Sequence, residues 1–477
     1  MPGSTSDATA FAPVLGCALR HALHYLESIA TRPVAATADL SALRAAFARP
    51  LPHEGTDPAQ VIDELVRDVE GGIIASAGGR FFGWVIGGSL PAALAADWLT
   101  AAWNQNAAIH ACGPAAAVIE DVTGAWLKDL FGLPPTASHA FVTGTQMAHV
   151  TCLASARHRL LERVGWDVEE RGMAGAPAIR LITSGEYHGS VERALRVLGL
   201  GKRAIMALPS DARGRLDPAA LTQALAARSQ ELCIVLLQAG DLNTGAFDPF
   251  DELIPIAHRY GAWVHVDGAF GLWTAASAKY RHLLRGAELA DSWTSDAHKW
   301  LNTPFDCGYA FVADADAHRC AFAHGTSYRV HVAGVRDQID WTPDWSRRAR
   351  GIATYAALRE LGRAGVAALV DRSCAHARAL VQRIGSLAGA QVVSKPSINQ
   401  GLVRFLDARP GAADLDHDRR TEEVIARIVA TGEAFFGATT WRGQRCMRVS
   451  VCNWRTNADD VARAVNAARQ ALAASAA

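Results

Sequence analysis

The sequence predicts an α/β fold in which a mostly parallel central sheet is followed by a smaller C-terminal α+β domain. Short strands that are apolar throughout alternate with helical stretches between residues 179 and 312, and such strands indicate a sheet that is covered on both faces. A long helical stretch from about 346 to 388 is then followed by alternating strand-like and helical pieces, which indicates a second, smaller unit.

The predicted domains are an N-terminal helical segment over 1–85, a large domain over 86–375 and a small domain over 376–477. Amphipathic helices are expected at Leu90–Gln105, Pro114–Phe131 and about 146–164. The strand candidates of the large domain are Ile179–Thr183, Leu232–Gln238, Ala262–Val266 and Tyr309–Val312. Those of the small domain are Gly401–Leu406 and Arg445–Val451, with helices at about 420–434 and 456–474.

Composition narrows the class of protein. Acidic and basic residues balance at 47 each. The chain therefore has no excess of basic residues of the kind that binds nucleic acid, and no polybasic patch for a membrane. The nine scattered cysteines include no Cys-x-x-Cys pair, and this favours free thiols over disulfides or a zinc site. No stretch approaches the roughly 18 apolar residues of a membrane span, and a secretory signal pattern is absent. We therefore expect a soluble, cytoplasmic protein of a size typical of enzymes, with no nucleic-acid or membrane partner and no metal site.

Lys299 stands out because the chain contains five lysines against 42 arginines. It lies between His298 and the large apolar Trp300. A lysine can lose its proton when it is desolvated and can then form a Schiff base, whereas an arginine stays charged. The alternative is a lysine near a helix end whose stem covers apolar surface while its amine reaches water.

Asp267 closes the apolar strand candidate Ala262–Val266 and is followed by the small residues Gly268 and Ala269. A carboxylate at the end of a buried strand needs a partner, and a protonated heterocyclic nitrogen would serve. Small neighbours would allow a flat ring to approach. The alternative is an ordinary aspartate that caps the next turn.

Two further segments follow the ends of strands. His188 lies at a strand-to-helix switch, where it could stack on a planar ligand or cap the helix. Gly144, Thr145 and Gln146 open the helix at about 146–164, and the free N–H groups of a helix N-terminus can bind phosphate. In an open α/β sheet the carboxyl ends of the strands are where ligands collect. The phosphate cradle, His188, Asp267 and Lys299 together match what pyridoxal 5′-phosphate requires.

Around these residues the chain resembles the group II pyridoxal-phosphate-dependent amino-acid decarboxylases, which include the aromatic-L-amino-acid, tyrosine and glutamate decarboxylases. The run Asp291–Gly308 carries the lysine signature of that family. Supporting matches are Arg80–Gly83, Leu90-Pro91, Gly113–Ala115 with Glu120, Tyr187–Ala194, Thr244–Pro249, His265–Asp267, Ser346–Arg350 and Arg448–Ser450. The resemblance implies fold type I, the aspartate aminotransferase type, and a homodimer with active sites at the subunit interface.

The resemblance also implies roles for individual residues. Lys299 would be the Schiff-base lysine, Asp267 the partner of the pyridine nitrogen, and His188 the residue stacked on the ring. Ala269 would pack against the other face of the ring. Thr145, Gln146 and His298 would hold the phosphate, with Gly144 shaping the turn. Tyr328, in the polar loop over 324–345, would be the proton donor that acts after carbon dioxide leaves.

The chain departs from the family pattern near the expected substrate pocket. His110 stands where members with aromatic substrates tend to carry a tryptophan, and the stretch that ends at Asn243 is shorter than usual. Phe81, His110 and Asn243 are the predicted pocket residues. The group that contacts the substrate carboxylate has no assignment from the sequence.

The predicted function is α-decarboxylation of an L-amino acid to the amine and carbon dioxide. An aromatic substrate is one possibility, and the sequence alone does not select the amino acid. One alternative keeps the cofactor but forms an aldehyde by oxidative deamination, as relatives do when the loop tyrosine is lost. Aminotransferase or aldolase-type chemistry is a further alternative on the same scaffold.

Overall fold

The computed structural model describes residues 8–324 and 334–474 of the chain. Its helices are α1 (Ala8–Ser28), α2 (Leu40–Phe47), α3 (Pro58–Val69), α4 (Pro91–Trp103), α5 (Pro114–Phe131), α6 (Thr145–Glu162), α7 (Val168–Arg171), α8 (Gly189–Val197), α9 (Pro218–Ala226), α10 (Phe250–Arg259), α11 (Ala315–Cys320), α12 (Gly351–Gly385), α13 (Asp414–Ala430) and α14 (Ala458–Ala474). Its strands are β1 (Ser138–Val142), β2 (Ile179–Ser184), β3 (Ile205–Leu208), β4 (Leu232–Gln238), β5 (Trp263–Asp267), β6 (Ser292–Asp296), β7 (Gly308–Val312), β8 (Ala390–Ser394), β9 (Gln400–Phe405), β10 (Gly437–Trp441) and β11 (Gln444–Ser450).

The central sheet of the described residues has seven strands in the order β1-β7-β6-β5-β4-β2-β3. All neighbours pair in parallel except β7, which runs antiparallel to β1 and β6. The predicted α/β fold with a mostly parallel sheet is therefore confirmed.

Helices cover both faces of the central sheet, as the apolar strands predict. In β4, Val235 and Leu237 pack into one buried cluster. Ile234 and Leu236, whose side chains point the opposite way, pack into a second cluster. Every residue of β4 after Leu232 is buried. This double coverage leaves the carboxyl edge of the sheet as the place where strand ends open towards a ligand.

A second sheet of four antiparallel strands, in the order β10-β11-β9-β8, forms the predicted small α+β unit. The long helix α12 leads into it and runs past the predicted domain boundary at 375/376. Its helical geometry is interrupted at Gly362, where φ is 58° and ψ is 179°. Because a positive φ is strained for residues with a side chain, glycine suits this break.

A buried ion pair holds the backbone just before the turn that contains Gly144. Arg347 donates to the backbone oxygens of Ala107 and Phe141, each at 2.6 Å, and its guanidinium lies 3.1 Å from a carboxylate oxygen of Glu120. Both charged side chains are almost inaccessible to solvent. Removing one partner of such a pair leaves the other charge buried, which typically costs about 3–5 kcal/mol. The pair therefore stabilises β1 just before Gly144.

Two predictions from composition also bear on the fold. The nine cysteines all lie in the described residues and are free thiols. Among the residues that the structure describes, no helix combines the length and apolarity that a membrane crossing requires.

Candidate active site

A cavity of about 610 Å³ opens at the carboxyl edge of the central sheet. The ends of β4, β5 and β6 contribute Gln238, Asp267 and Asp296 to its wall. Eight of the residues named from the sequence line this cavity together: Gly144, Thr145, Gln146, His188, Asp267, Ala269, His298 and Lys299. Parallel strands whose carboxyl ends meet at one edge bring these distant segments of the chain together.

Lys299 lies in a single π-helical turn, Ala297–Leu301, directly after β6. Such turns are rare and occur frequently at functional sites. Its Nζ lies 3.0 Å from Oδ2 of Asp296, and its side chain is 19% exposed, towards the cavity. The backbone of Gly87 approaches this turn so closely that a Cβ there would lie 2.0 Å from the Lys299 carbonyl oxygen. The glycine therefore allows the chain to hold the lysine turn in place.

Asp296 is the buried counterion of Lys299. Its Oδ1 accepts a hydrogen bond of 2.6 Å from the backbone N–H of Thr145. Burial raises the pKa of Asp296, but the neighbouring Lys299 and His298 outweigh this effect and hold the pKa below its ordinary value. Asp296 is therefore ionised at neutral pH and ties the lysine turn to the start of α6.

Asp267 ends β5 with its carboxylate at the cavity wall. Its Oδ1 accepts a hydrogen bond of 3.1 Å from the backbone N–H of Ala269, and its Oδ2 lies 3.3 Å from Nε2 of His149. Burial alone would raise the pKa of Asp267, but His149, Lys299 and His188 lower it well below the ordinary range. The site therefore presents a permanent negative charge that suits a protonated ring nitrogen.

His188 both caps a helix and lines the cavity, so its two sequence-based interpretations are compatible. Ser190 lies in the first turn of α8. Nδ1 of His188 accepts a hydrogen bond of 3.2 Å from the backbone N–H of Ser190 and lies 2.7 Å from the Ser190 hydroxyl. Burial lowers the pKa of His188, although Asp267 opposes the shift. With Nδ1 accepting, we infer that Nε2 carries the proton of the neutral ring.

The turn before α6 fits a phosphate group. A Cβ on Gly144 would lie 3.4 Å from Asp296 Oδ1 and from His298 Cε1, an ordinary van der Waals distance, so the turn lies against the residues around Lys299. The buried hydroxyl oxygen of Thr145 has no hydrogen-bond partner among the described residues. Together with the backbone N–H of Gln146 in the first turn of α6, this hydroxyl suits an anion. The donor set, the anionic Asp267 and the amine of Lys299 therefore fit pyridoxal phosphate.

Other residues named from the sequence do not line this cavity. Phe81 is buried and stacks on Phe435 with ring centroids 4.9 Å apart. The backbone N–H of His110 donates to Asp337, and Asn243 accepts from the Thr439 hydroxyl. Their substrate-pocket roles stay predictions. Tyr328 lies outside the described residues, so its role stays a prediction as well.

The cavity also contains residues to which the sequence gave no role. Arg448 and Gln238 both line the cavity. In the sequence, Arg448 belongs only to a family match, and Gln238 is only the last residue of a strand candidate. Trp84 and Phe305 stand at the wall as exposed aromatic rings. A polar residue that ends an apolar strand was the one signal that could have identified Gln238. Nothing in the local sequence marks the others.

The chain is similar to known proteins over most of its length. Residues 42–406 match the pyridoxal-dependent decarboxylase conserved domain. The chain is 26% identical over 446 residues to an aromatic-L-amino-acid decarboxylase of Bacillus atrophaeus, which covers 92% of this chain and 90% of that protein.

Solved structures share the fold. The structure of Oryza sativa TDC with PLP and tryptamine superposes with a TM-score of 0.92 at 24% identity, covering 100% of this chain and 99% of that one. The structure of Rhodiola rosea 4-hydroxyphenylacetaldehyde synthase superposes with a TM-score of 0.88 at 20% identity, covering 99% of each chain. At these identities the similarity shows the fold alone.

Proposed function

Since the chain belongs to the pyridoxal-dependent decarboxylase family, we propose that the cavity around Lys299 removes the α-carboxyl group of an L-amino acid and releases the amine. The family, the cofactor and the enzyme class predicted from the sequence are confirmed: the protein is a pyridoxal-phosphate-dependent carboxy-lyase. The proposal adds which residues act and which substrates enter.

The observation that carries the proposal is the meeting of Lys299 and Asp267 in one cavity with the phosphate turn. Bound pyridoxal phosphate supplies an electron-poor ring that accepts the electron pair left when the carboxyl group departs. We assign Lys299 as the residue that binds the cofactor and Asp267 as the anion that holds a proton on the ring nitrogen. Asp296 orients Lys299, and Thr145 with the start of α6 binds the phosphate.

Arg448 is our candidate for binding a carboxylate of the substrate. It lines the cavity, it is 8% exposed, and burial lowers its pKa while the nearby Asp241 opposes this. Among the described residues, no group accepts a hydrogen bond from its guanidinium. A buried cation without a bonded partner is costly, and an incoming carboxylate would offset that cost.

Two substrate classes fit this wall. Phe270, Trp84 and Phe305 line the cavity and suit an aromatic side chain, the class also acted on by the Bacillus relative. Arg448 favours instead a side chain that carries a second carboxylate. A strong ion pair with the departing α-carboxylate would stabilise the ground state and slow the reaction, so we place Arg448 against the side chain.

A substrate panel tests the reaction. Purified protein with pyridoxal phosphate is incubated with aromatic, acidic and basic L-amino acids while amine, carbon dioxide, ammonia and hydrogen peroxide are measured together. We expect equal amounts of amine and carbon dioxide from an aromatic or an acidic substrate, without peroxide. Ammonia and peroxide in place of amine would instead support aldehyde formation, the alternative that depends on Tyr328.

The same panel tests Arg448 with a matched control. Arg448→Gln is expected to raise KM for acidic substrates by at least about tenfold, the effect of roughly 1.4 kcal/mol of lost binding, and to leave KM for aromatic substrates within about twofold. Arg193→Gln, an exposed arginine at the same cavity, serves as the control. An equal rise for every amino acid would contradict our placement of Arg448 at the side chain.

We further propose that the protein is a homodimer. The helix α1 exposes an apolar stripe with residues four positions apart, which are 46–64% exposed: Phe11, Leu15, Leu19 and Leu23. Exposed contiguous apolar surface of this kind marks an interaction site, and a second copy would cover it. Phe305 at the cavity wall is also exposed, so a partner chain could complete the site.

Sedimentation velocity at micromolar concentration tests the dimer. The wild type is expected to sediment as a dimer and the double variant Leu15→Glu/Leu19→Glu as a monomer, because charges in a dry interface are costly. Leu415→Glu changes a leucine that is 75% exposed outside this stripe and should leave the dimer intact. A monomeric wild type would contradict the proposal. A cytoplasmic location stays a prediction, supported by the nine free thiols.

A further inference from the structure

A chain of buried polar groups leads away from the back of Asp267. His149 Nε2 lies 3.3 Å from Asp267 Oδ2, and His149 Nδ1 lies 2.9 Å from His265 Nε2. His265 Nδ1 then lies 2.8 Å from the hydroxyl of Ser292, which also accepts a hydrogen bond of 2.9 Å from the indole N–H of Trp263. The relay therefore joins α6, β5 and β6 behind the cavity.

The relay is shielded from water. His149, His265 and Ser292 are fully buried. The ionisable groups that interact with His149 include His265 and Asp267 from β5 and His188 from across the cavity. Lys299 acts on the same carboxylate, Asp267. Cys152, one turn further along α6, has its pKa raised by burial and stays uncharged. Electrostatic interactions are strong in so dry an environment, so the state of His149 acts directly on Asp267.

We infer one set of proton positions from the donors and acceptors along the relay. The Ser292 hydroxyl donates to His265 Nδ1, and His265 Nε2–H donates to His149 Nδ1. His149 Nε2–H then points to Asp267.

We propose that His149, supported by His265, is a positioning residue that holds Asp267 ionised and fixed, so that the ring nitrogen of the cofactor keeps its proton. The inference rests on the proposed function, since it assumes that Asp267 faces that nitrogen. Two pKa shifts support the geometry. His149 lowers the pKa of Asp267 against the effect of burial. Burial, together with the neighbouring His149, lowers the pKa of His265 to about 3, which keeps His265 neutral.

The 3.3 Å contact between His149 and Asp267 has the length of an ion pair and not of a well-aligned hydrogen bond. The other oxygen of Asp267 is held by the backbone N–H of Ala269. Each oxygen therefore keeps lone-pair capacity for a donor from the cavity. Replacing His149 would leave Oδ2 of Asp267 without its nearest cationic or donating side chain.

The test follows the ring nitrogen itself. The holoenzyme is prepared with pyridoxal 5′-phosphate labelled with nitrogen-15 in the ring, and the nitrogen chemical shift is followed between pH 6 and 9. In the wild type we expect a protonated nitrogen throughout. His149→Leu is expected to lose that proton within the same range and to weaken cofactor binding at least tenfold at pH 9.

Two further variants separate the charge from the fold. His149→Gln keeps a donor towards Asp267 but lacks the imidazole ring that contacts His265, so the ring nitrogen of its cofactor should titrate between those of the wild type and the leucine variant. His158→Gln changes another histidine of α6, paired with Glu169 away from the cavity, and should match the wild type. If the leucine variant misfolds, the glutamine variant decides: a titration identical to that of the wild type overturns the proposal.

The outcomes also distinguish this inference from the proposed function. A wild-type protein that takes up no cofactor would contradict the proposed function. A second outcome is a wild type that binds the cofactor and a ring nitrogen that titrates identically in the His149 variants. That result would overturn the role of His149 and leave the proposed function intact.

Discussion

Replacing Lys299 by alanine is expected to abolish the visible absorbance of bound pyridoxal phosphate and to lower kcat by roughly 1,000-fold or more, equivalent to about 4 kcal/mol of transition-state stabilisation. The amine is held at the cavity by Asp296, 3.0 Å away, in a turn fixed by the close approach of Gly87. Alanine cannot bind the cofactor covalently, and it leaves Asp296 as a buried anion without its main counterion. Absorbance spectra and steady-state rates measure both effects.

A second lysine provides the control. Lys279→Ala removes an exposed lysine that pairs with Asp371 on the surface, and we expect wild-type absorbance and rate. Reduction of the holoenzyme with borohydride, followed by peptide mass analysis, should find the cofactor on the peptide that contains Lys299. An adduct on any of the other four lysines, or a Lys299→Ala variant that keeps its visible band, would show that the assignment is wrong.

Much of the fold follows from local sequence patterns, and the exceptions have physical causes. The apolar runs of β2, β4 and β5 identify strands because both faces of a covered parallel sheet must be apolar. The strand β6, with the sequence Ser-Trp-Thr-Ser-Asp, carries no such pattern although all five residues are buried. The hydroxyls of Thr294 and Ser295 have no hydrogen-bond partner among the described residues, and the hydroxyl of Ser292 finds its partners in His265 and Trp263 of β5. Those partners are distant in sequence, so the strand is not recognisable locally.

The same reasoning separates the parts of the site. Lys299 and Asp267 could be predicted because a rare residue type and a charged strand end are local signals. His149 could not be predicted, since its importance comes from His265, which lies 116 positions away. Phe81, His110 and Asn243 came from the resemblance alone, which says which segment lies near a pocket but not which side chain reaches this chain's cavity. Tertiary packing decides which side chains reach the cavity, so the sequence of a single segment does not identify them.

Replacing Asp267 by asparagine is expected to lower kcat by roughly 100- to 10,000-fold, the range that a positioned proton-holding group contributes. Asparagine has nearly the same shape but no charge, so it cannot keep a proton on the ring nitrogen. The lowered pKa of Asp267 also determines how wild-type activity depends on pH. A carboxylate whose pKa is lowered by folding stays ionised until the pH falls below the ordinary pKa of an aspartate. Protonation of Asp267 should therefore cause no loss of wild-type activity between pH 5 and 9.

The asparagine variant should separate binding from chemistry. Cofactor binding should weaken less than kcat falls, because the phosphate turn and Lys299 remain. Asp251→Asn, which removes the exposed partner of Arg285, should leave both quantities unchanged. If Asp267→Asn kept kcat within about tenfold of the wild type, a loss of no more than roughly 1.4 kcal/mol, the ring nitrogen would not depend on this carboxylate. The buried relay behind it would then have a purely structural role, because a charge that catalysis does not use needs no residue to preserve it.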